Sequence, residues 1–221
     1  MATTTMPIAA ILLDREFFPR KGINEINVRK LVDALEQESP AELPPLLVSD
    51  PEHILVDGFH RHRAYEKVGI TTVPVELKHY NSRADMLRDA ITANVGRGQD
   101  LQPYDYARCL ILCEQVGISD TELAGLLRVN TVRLDRIREQ RIGRTLGHKK
   151  IALKRSLSHL IEHEITPEIE RLNEHASGMQ PVFHVDQLIA FLEAHALPDD
   201  DKLRTRLTRL GALIDDYLSE L

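Results

Sequence analysis

Nine residues, Val56-Asp57-Gly58-Phe59-His60-Arg61-His62-Arg63-Ala64, constrain the fold of this chain more than any other stretch. They begin at the end of the apolar run Ile54-Leu55-Val56 and lead into Ala64-Tyr65-Glu66-Lys67-Val68-Gly69, which reads as a helix closed by a C-terminal glycine. The order is strand, glycine turn, helix, with imidazoles and guanidiniums crowded into the first helical turn. A helix start offers unpaired N–H groups and a partial positive charge to an anion. Arg61 and Arg63 add donors that match phosphate oxygens, and Gly58 permits close backbone approach. The segment reads as a phosphate cradle. From spacing alone, a solvated helix start is the alternative.

Two more boxes flank the cradle. Upstream lies Phe18-Pro19-Arg20-Lys21, followed by a predicted helix with Val28, Leu31, Val32 and Leu35 at helical spacing. Downstream lies Ala93-Asn94-Val95-Gly96-Arg97-Gly98-Gln99-Asp100-Leu101. The glycine segment resembles the G-E-R-R-x-R-A box of the ParB/sulfiredoxin superfamily, and the flanking segments resemble that family's P-R-K and E-N-x-Q-R-x-x-L boxes. The resemblance implies an N-terminal α/β domain over residues 1–100. It also implies a bound nucleotide, CTP being the candidate, with Mg²⁺. The residues it assigns to nucleotide and phosphate are Arg20, Asp57, Gly58, His60, Arg61, Arg63, Asn94 and Arg97.

Three departures qualify the chemistry. Phe59 stands where sulfiredoxins, with G-G-C-H-R, carry a catalytic cysteine, which argues against their reaction. His60 replaces the first arginine of the ParB box and gives a donor that switches charge near its ordinary pKa of about 6.5. Ala93 replaces the box glutamate that ParB proteins use around the metal, so a hard oxygen ligand is missing and CTPase-like hydrolysis is in question. Asp57, His60 and Arg61 also match the D-G-x-H-R variant of the superfamily's small-molecule kinases.

Charge points to a second function. The net charge of −6 argues against nucleic-acid binding until it is divided along the chain. Residues 128–155 hold ten Lys and Arg against Asp135 and Glu139, a net +8 that leaves −14 elsewhere. Such segregation marks a basic DNA-facing surface on an acidic body. The stretch begins inside a helix-turn-helix pattern. Residues 104–116 form a predicted helix stopped by Gly117, and Ser119 with Glu122 forms a capping box for the next, which turns Leu123, Ala124, Leu126 and Leu127 inward. Asn130 or Thr131 caps a second helix that buries Val132, Leu134 and Ile137 and exposes Arg133, Arg136 and Arg138. Arg128 sits where the turn normally has glycine. A plain helical hairpin is the alternative. Arg128, Asn130, Thr131, Arg133, Arg136, Arg138, Arg141, Arg144, Lys149 and Lys150 are the candidate DNA contacts, the last three on a basic linker, 143–150, that orders on DNA.

The remainder is predicted helical. Residues 151–164 read as a helix whose His159 and His163, four apart, are surface or core histidines and not metal ligands. Residues 185–197 read as another. Leu203, Leu207, Leu210, Ile214, Tyr217 and Leu221 then form an a/d seam that either pairs with a second copy or packs on the 185–197 helix; pairing is favoured. The apolar run Pro7–Leu13 is too short to span a membrane and reads as an edge strand. Cys109 and Cys113 read as buried thiols in a reducing compartment, hence a cytoplasmic, nucleoid-associated protein without membrane contact.

The expected fold is α+β: the ParB/sulfiredoxin-like α/β domain, an all-α helix-turn-helix domain over 101–165, and a helical C-terminal module over 166–221. Two function classes follow. One is a ParB-like DNA-binding protein with a nucleotide pocket. It would be a homodimer on double-stranded DNA, acting with or without a partition partner protein in chromosome or plasmid partition or in transcription regulation. The other is a nucleotide-dependent small-molecule kinase of the D-G-x-H-R branch.

Overall fold

The computed structural model of the protein describes residues 3–37, 43–95, 101–176, 179 and 181–220. It divides into two compact units, residues 1–178 and 179–221.

In the first unit, β1 (Thr3–Pro7), β2 (Leu46–Asp50), β3 (Leu55–Asp57) and β4 (Thr72–His79) form a sheet of order β1-β4-β2-β3. β2 and β4 run parallel, and the two outer pairings are antiparallel. The edge strand expected at residues 7–13 lies earlier, at β1, because Ile8–Ala10 close into a 3₁₀ turn. Three helices accompany the sheet: α1 (Glu25–Leu35), α2 (Phe59–Val68) and α3 (Arg83–Asn94). Met6, Phe18, Leu46, Val48, Leu55, Phe59, Tyr65, Val73 and Val75 make one core.

A second and larger core spans what the sequence divides near residue 100. Phe17 and Val56 pack with Met86, Leu87, Ala90 and Ile91 of α3. The same cluster continues through α4 (Pro103–Gln115), α5 (Asp120–Leu127) and α6 (Thr131–Arg141) to Leu134 and Ile137. Cys109 and Cys113 are buried in it on α4, as expected. Burial pushes both thiols up, Cys113 to about 12, so neither is a nucleophile at neutral pH.

Both helices of the α5–α6 connection are capped at their starts. Ser119 accepts from the Glu122 N–H and Asn130 from the Arg133 N–H, each capping its helix. Arg128 occupies the left-handed region at φ 54°, ψ 42°, the conformation that the missing glycine would have adopted without strain. Only half of the expected capping box forms, because the Glu122 carboxylate instead takes the Arg88 Nε at 2.6 Å and ties α5 to α3.

Beyond α6 the all-α expectation fails. The basic linker is a β-hairpin of β5 (Ile142–Thr145) and β6 (Lys150–Ala152). The expected 151–164 helix is instead β6, a 3₁₀ segment at Arg155–Leu160 and β7 (Glu164–Ile165), which pairs parallel to β5. The reason is packing. Ile151, Leu153 and Ile165 form a small core, and a Cβ on Gly143 would lie 2.9 Å from Leu153 Cδ1. A short continuous buried run such as Ile151-Ala152-Leu153 satisfies a sheet as well as a helix, and here tertiary packing decided. α7 (Pro167–His175) closes the unit, its Asn173 bridging the Lys154 N–H and the Ala152 carbonyl.

The second unit holds α8 (Pro181–Glu193), earlier than the expected 185–197, and α9 (Asp201–Ser219), capped by Asp200. Neither helix buries a residue. Leu203 and Leu207 of the predicted seam are half-buried, while Leu210, Ile214 and Tyr217 are exposed. Leu221 lies outside the described residues.

Candidate functional site

The glycine turn builds one end of a cavity of about 750 Å³. Gly58 caps α2 at φ 104°, ψ 22°, and a Cβ there would lie 2.6 Å from Leu46 Cδ2, so only glycine fits. Without a capping side chain, the first-turn N–H groups of α2 are available to an anion. Arg20, Asp57, Gly58, His60, Arg61, Ala93 and Asn94 all line this cavity, drawn together from three distant boxes. Asn94 holds Arg20 in place by accepting Nε at 2.7 Å, and its own amide is anchored on the Ala90 carbonyl.

Two assigned residues play other parts. The Arg61 guanidinium donates Nη1 to the carbonyls of Pro44 and Pro45 at 2.6 and 2.7 Å, and Nη2 to Asp57 at 2.8 Å. Those bonds use three of its five N–H donors, and through them Arg61 fastens the chain entering β2 to the glycine turn. Arg63 does not reach the cavity; it points outward and pairs with Glu66 at 3.3 Å, because two residues along a helix from Arg61 lies on a different face. Arg97 lies outside the described residues.

His60 is a neutral acceptor. Its Nε2 takes the Asn24 N–H at 3.0 Å, so the proton of the neutral ring is on Nδ1. Burial, helped by the Arg20 charge, lowers its pKa, and burial does the same at His62 behind it. Phe18 stacks on Phe59 at 4.4 Å between centroids and meets the His60 ring edge-on.

α1 and its N-cap contribute wall residues that the sequence reading missed: the cap Asn24, then Ile26, Asn27, Lys30 and Leu31. Asn24, Asn27 and Lys30 fall three apart, a polar line along a helix whose other side carries Val28. That spacing was the available signal.

The donor set does not fit a protein-held Mg²⁺. Asp57 is committed to Arg61, Asn94 Oδ1 to Arg20, and Asn24 Oδ1 to the Ile26 and Asn27 N–H groups. Ala93 brings no oxygen, and no cluster of three His, Cys, Asp or Glu occurs among the described residues.

The basic candidates separate as well. Arg133 and Arg136 line a second cavity of about 400 Å³ with Asn130, Val132, Ile137, Gln140 and Arg141. Arg133 also lies 4.8 Å over the Tyr106 ring. Val132, expected to be buried, is 63% exposed because α6 turns only Leu134 and Ile137 into the core. Arg138 is not a free cation: it bridges Asp120 at 2.6 Å and Asp135 at 3.0 Å, locking α5 to α6. Lys150 pairs with Glu114 at 2.5 Å. Arg128, Thr131, Arg144 and Lys149 are exposed.

Comparison with known proteins agrees with the N-terminal boxes. Residues 3–95 match the ParB N-terminal domain family. Among solved structures, the chain is similar to the C-terminally truncated chromosome-partitioning protein ParB from Caulobacter crescentus complexed to the centromeric parS site. Identity is 22% and the TM-score 0.44, over 62% of this chain and 71% of that one. The same protein complexed with CTP-gamma-S gives 22% and 0.39, over 86% and 99%. Sulfiredoxin from Arabidopsis thaliana gives 20% and 0.31, over 41% and 98%. No curated protein matches the chain.

Two outcomes follow. Arg61→Ala removes three bonds from a charged donor, two of them partly buried and each of those worth about 1.5–3 kcal/mol. It should therefore lower the urea unfolding midpoint of the free protein and not merely its ligand affinity. Wild-type stability in that variant would return Arg61 to the ligand. The second outcome concerns acid. With the His60 and His62 pKa values lowered, the unfolded chain binds more protons below about 6.5, so stability should fall as pH drops through and below that value. The fall should be shallower in His60→Gln, and a midpoint flat from about pH 7 to 5 would contradict both assignments.

Proposed function

We propose that the protein is a ParB-like DNA-binding protein whose N-terminal cavity takes a nucleotide by its phosphates. The observation that carries this reading is the convergence of Arg20, Lys30, His60 and the open α2 N-terminus on one cavity within a ParB N-terminal domain. About 750 Å³ suits a nucleotide, since small-molecule sites run to roughly 300–1,000 Å³. CTP with Mg²⁺ is the pairing the family resemblance implies. In this chain the cation would be held by phosphates and water, with Arg20 and Lys30 balancing the remaining charge. With Asp57 committed and Ala93 in the glutamate's place, the site favours binding over hydrolysis. The same commitment leaves the kinase alternative without a free carboxylate among the lining residues to act as base.

α5 and α6 form a helix-turn-helix, α6 being the recognition helix with Arg133 and Arg136 toward base edges and Arg128, Asn130, Thr131 and Arg141 toward phosphates. The division into a nucleotide-binding part to about residue 100, a DNA-binding part to 165 and a C-terminal module is thus one of roles within a shared core. α9 pairs with the α9 of a second copy through Leu210, Ile214 and Tyr217, which one chain leaves exposed. The protein would act at the nucleoid in partition or transcription control.

Isothermal titration with a panel of nucleoside triphosphates, with and without duplex DNA, tests the pocket. Wild type should bind one class of nucleotide, and Arg20→Ala or Lys30→Ala should lower affinity at least about tenfold, the loss of one or two charge-assisted bonds. Binding by no nucleotide, or equal binding by both variants, rejects the pocket. Light scattering tests the assembly. Wild type should have dimer mass and Ile214→Asp monomer mass with its nucleotide affinity kept, whereas a wild-type monomer at tens of micromolar ends the dimer reading.

A further inference from the structure

The α6 helix does not end in a flexible tail. Ile142 of β5 follows Arg141 directly, and the hairpin it opens is fixed at its base. Gly143 is buried against Leu153 and Ile165, the Leu153 N–H donates to the Arg141 carbonyl at 2.7 Å, and Lys150 is pinned to Glu114 of α4. The tip is ordered too. The Thr145 N–H reaches the Lys149 carbonyl and the His148 N–H the Thr145 carbonyl, with His148 at φ 58°. That is a three-residue loop built on a tight turn followed by a left-handed residue, a favoured way to close a hairpin.

What this rigid finger presents is distinctive. Strand alternation puts Gly143 inward and Arg144 outward. Arg144, Leu146, His148 and Lys149 are all exposed, Leu146 at 55%. Among the described residues neither Arg144 nor Lys149 has an ion pair, in contrast to Arg138 and Lys150. From Gln140 to Ile161 the chain holds six Lys and Arg and no acidic residue. An ordered, uniformly basic finger whose outer cations lack protein partners is complementary to a polyanion. Its base continues the helix whose Arg141 lines the same cavity as Arg133 and Arg136.

We propose that the β5–β6 hairpin is a wing that rests on the sugar–phosphate backbone of duplex DNA beside the groove entered by α6. Arg144 and Lys149 reach phosphates, and Leu146 covers the sugar edge between them. The proposal rests on the reading of α6 as a DNA-recognition helix and adds a second element with a different task. The wing holds any sequence and fixes the angle at which α6 meets the bases. Because the hairpin is folded without DNA, its grip on phosphates does not carry the ordering cost that a disordered basic arm would incur on binding.

Fluorescence anisotropy of the full chain on labelled duplexes of several sequences, across a salt series, tests it. Arg144→Ala with Lys149→Ala should weaken binding to every duplex by a similar factor, at least about tenfold at low salt. The slope of log affinity against log salt should flatten by about 2, roughly one for each phosphate left without its cation, with sequence preference kept. Leu146→Asp should weaken binding further by bringing a carboxylate to the backbone. All three side chains are exposed, so circular dichroism and melting should match wild type. Arg136→Ala, by contrast, should erode preference among sequences. If Arg136→Ala is impaired while the wing variants bind with wild-type affinity and slope, the wing is overturned and the α6 reading stands. The wing is overturned equally if those variants lose only binding to polyglutamate, which would mark an acidic-protein surface. Failure of wild type to bind any duplex rejects both.

Discussion

The architecture depends on how α4 grips the chain between Arg15 and Lys21. Arg108 donates to the carbonyls of Phe18 and Arg15 at 2.9 and 2.5 Å, and the buried Asp105 accepts the Lys21 N–H at 2.6 Å and the Gln102 N–H at 2.8 Å. These bonds pair backbone groups on either side of Phe17 and Phe18, both buried, where unpaired groups are costly. Their geometric effect is to deliver Arg20 to Asn94 and so complete the cavity wall opposite the glycine turn. The pocket is therefore finished by a helix that lies, in sequence, beyond the N-terminal boxes.

That arrangement gives the two halves a physical connection. α4 carries Asp105 and Arg108, which hold the 15–21 segment, and Tyr106, whose ring lies under Arg133 of α6. A shift of the 15–21 segment on binding an anion would be felt at α4, and α4 is packed with α6 in one cluster. Ion pairs reinforce the same path, with Arg88 of α3 bound to both Asp85 and Glu122, and Arg138 joining α5 to α6. The basic surface is thereby sorted into cations that hold elements together, such as Arg138 and Lys150, and exposed cations such as Arg144 and Lys149.

The sequence disclosed the boxes and not their internal bonding. Gly58, the cap residues Ser119 and Asn130, and the left-handed Arg128 were legible because each follows from local backbone chemistry. The roles of Arg61 and Arg138 were not, because the carbonyls of Pro44 and Pro45 and the carboxylate of Asp120 are near them only after folding. Exposure along α6 was misjudged at Val132 for a related reason, since periodicity gives a stripe but not its width. The hairpin was missed most completely. Gly143 reads as a linker residue until Leu153 and Ile165 are placed against it, and Ile151-Ala152-Leu153 is too short to declare a period. The wall residues Asn27 and Lys30 were visible as a polar line, but nothing local says which way such a line faces.

The core that runs from Phe17 to Ile137 has a practical consequence for dissection of the molecule. Cutting the chain near residue 100 would strip α4, α5 and α6 from Met86, Leu87, Ala90 and Ile91, four residues that are almost fully covered in the intact unit. The amino-terminal fragment would carry a raw apolar face, and such faces recruit other molecules. A fragment of that kind would report self-association and weak ligand capture that belong to the cut and not to the protein. The smallest piece that keeps this core and its packing whole ends after α7.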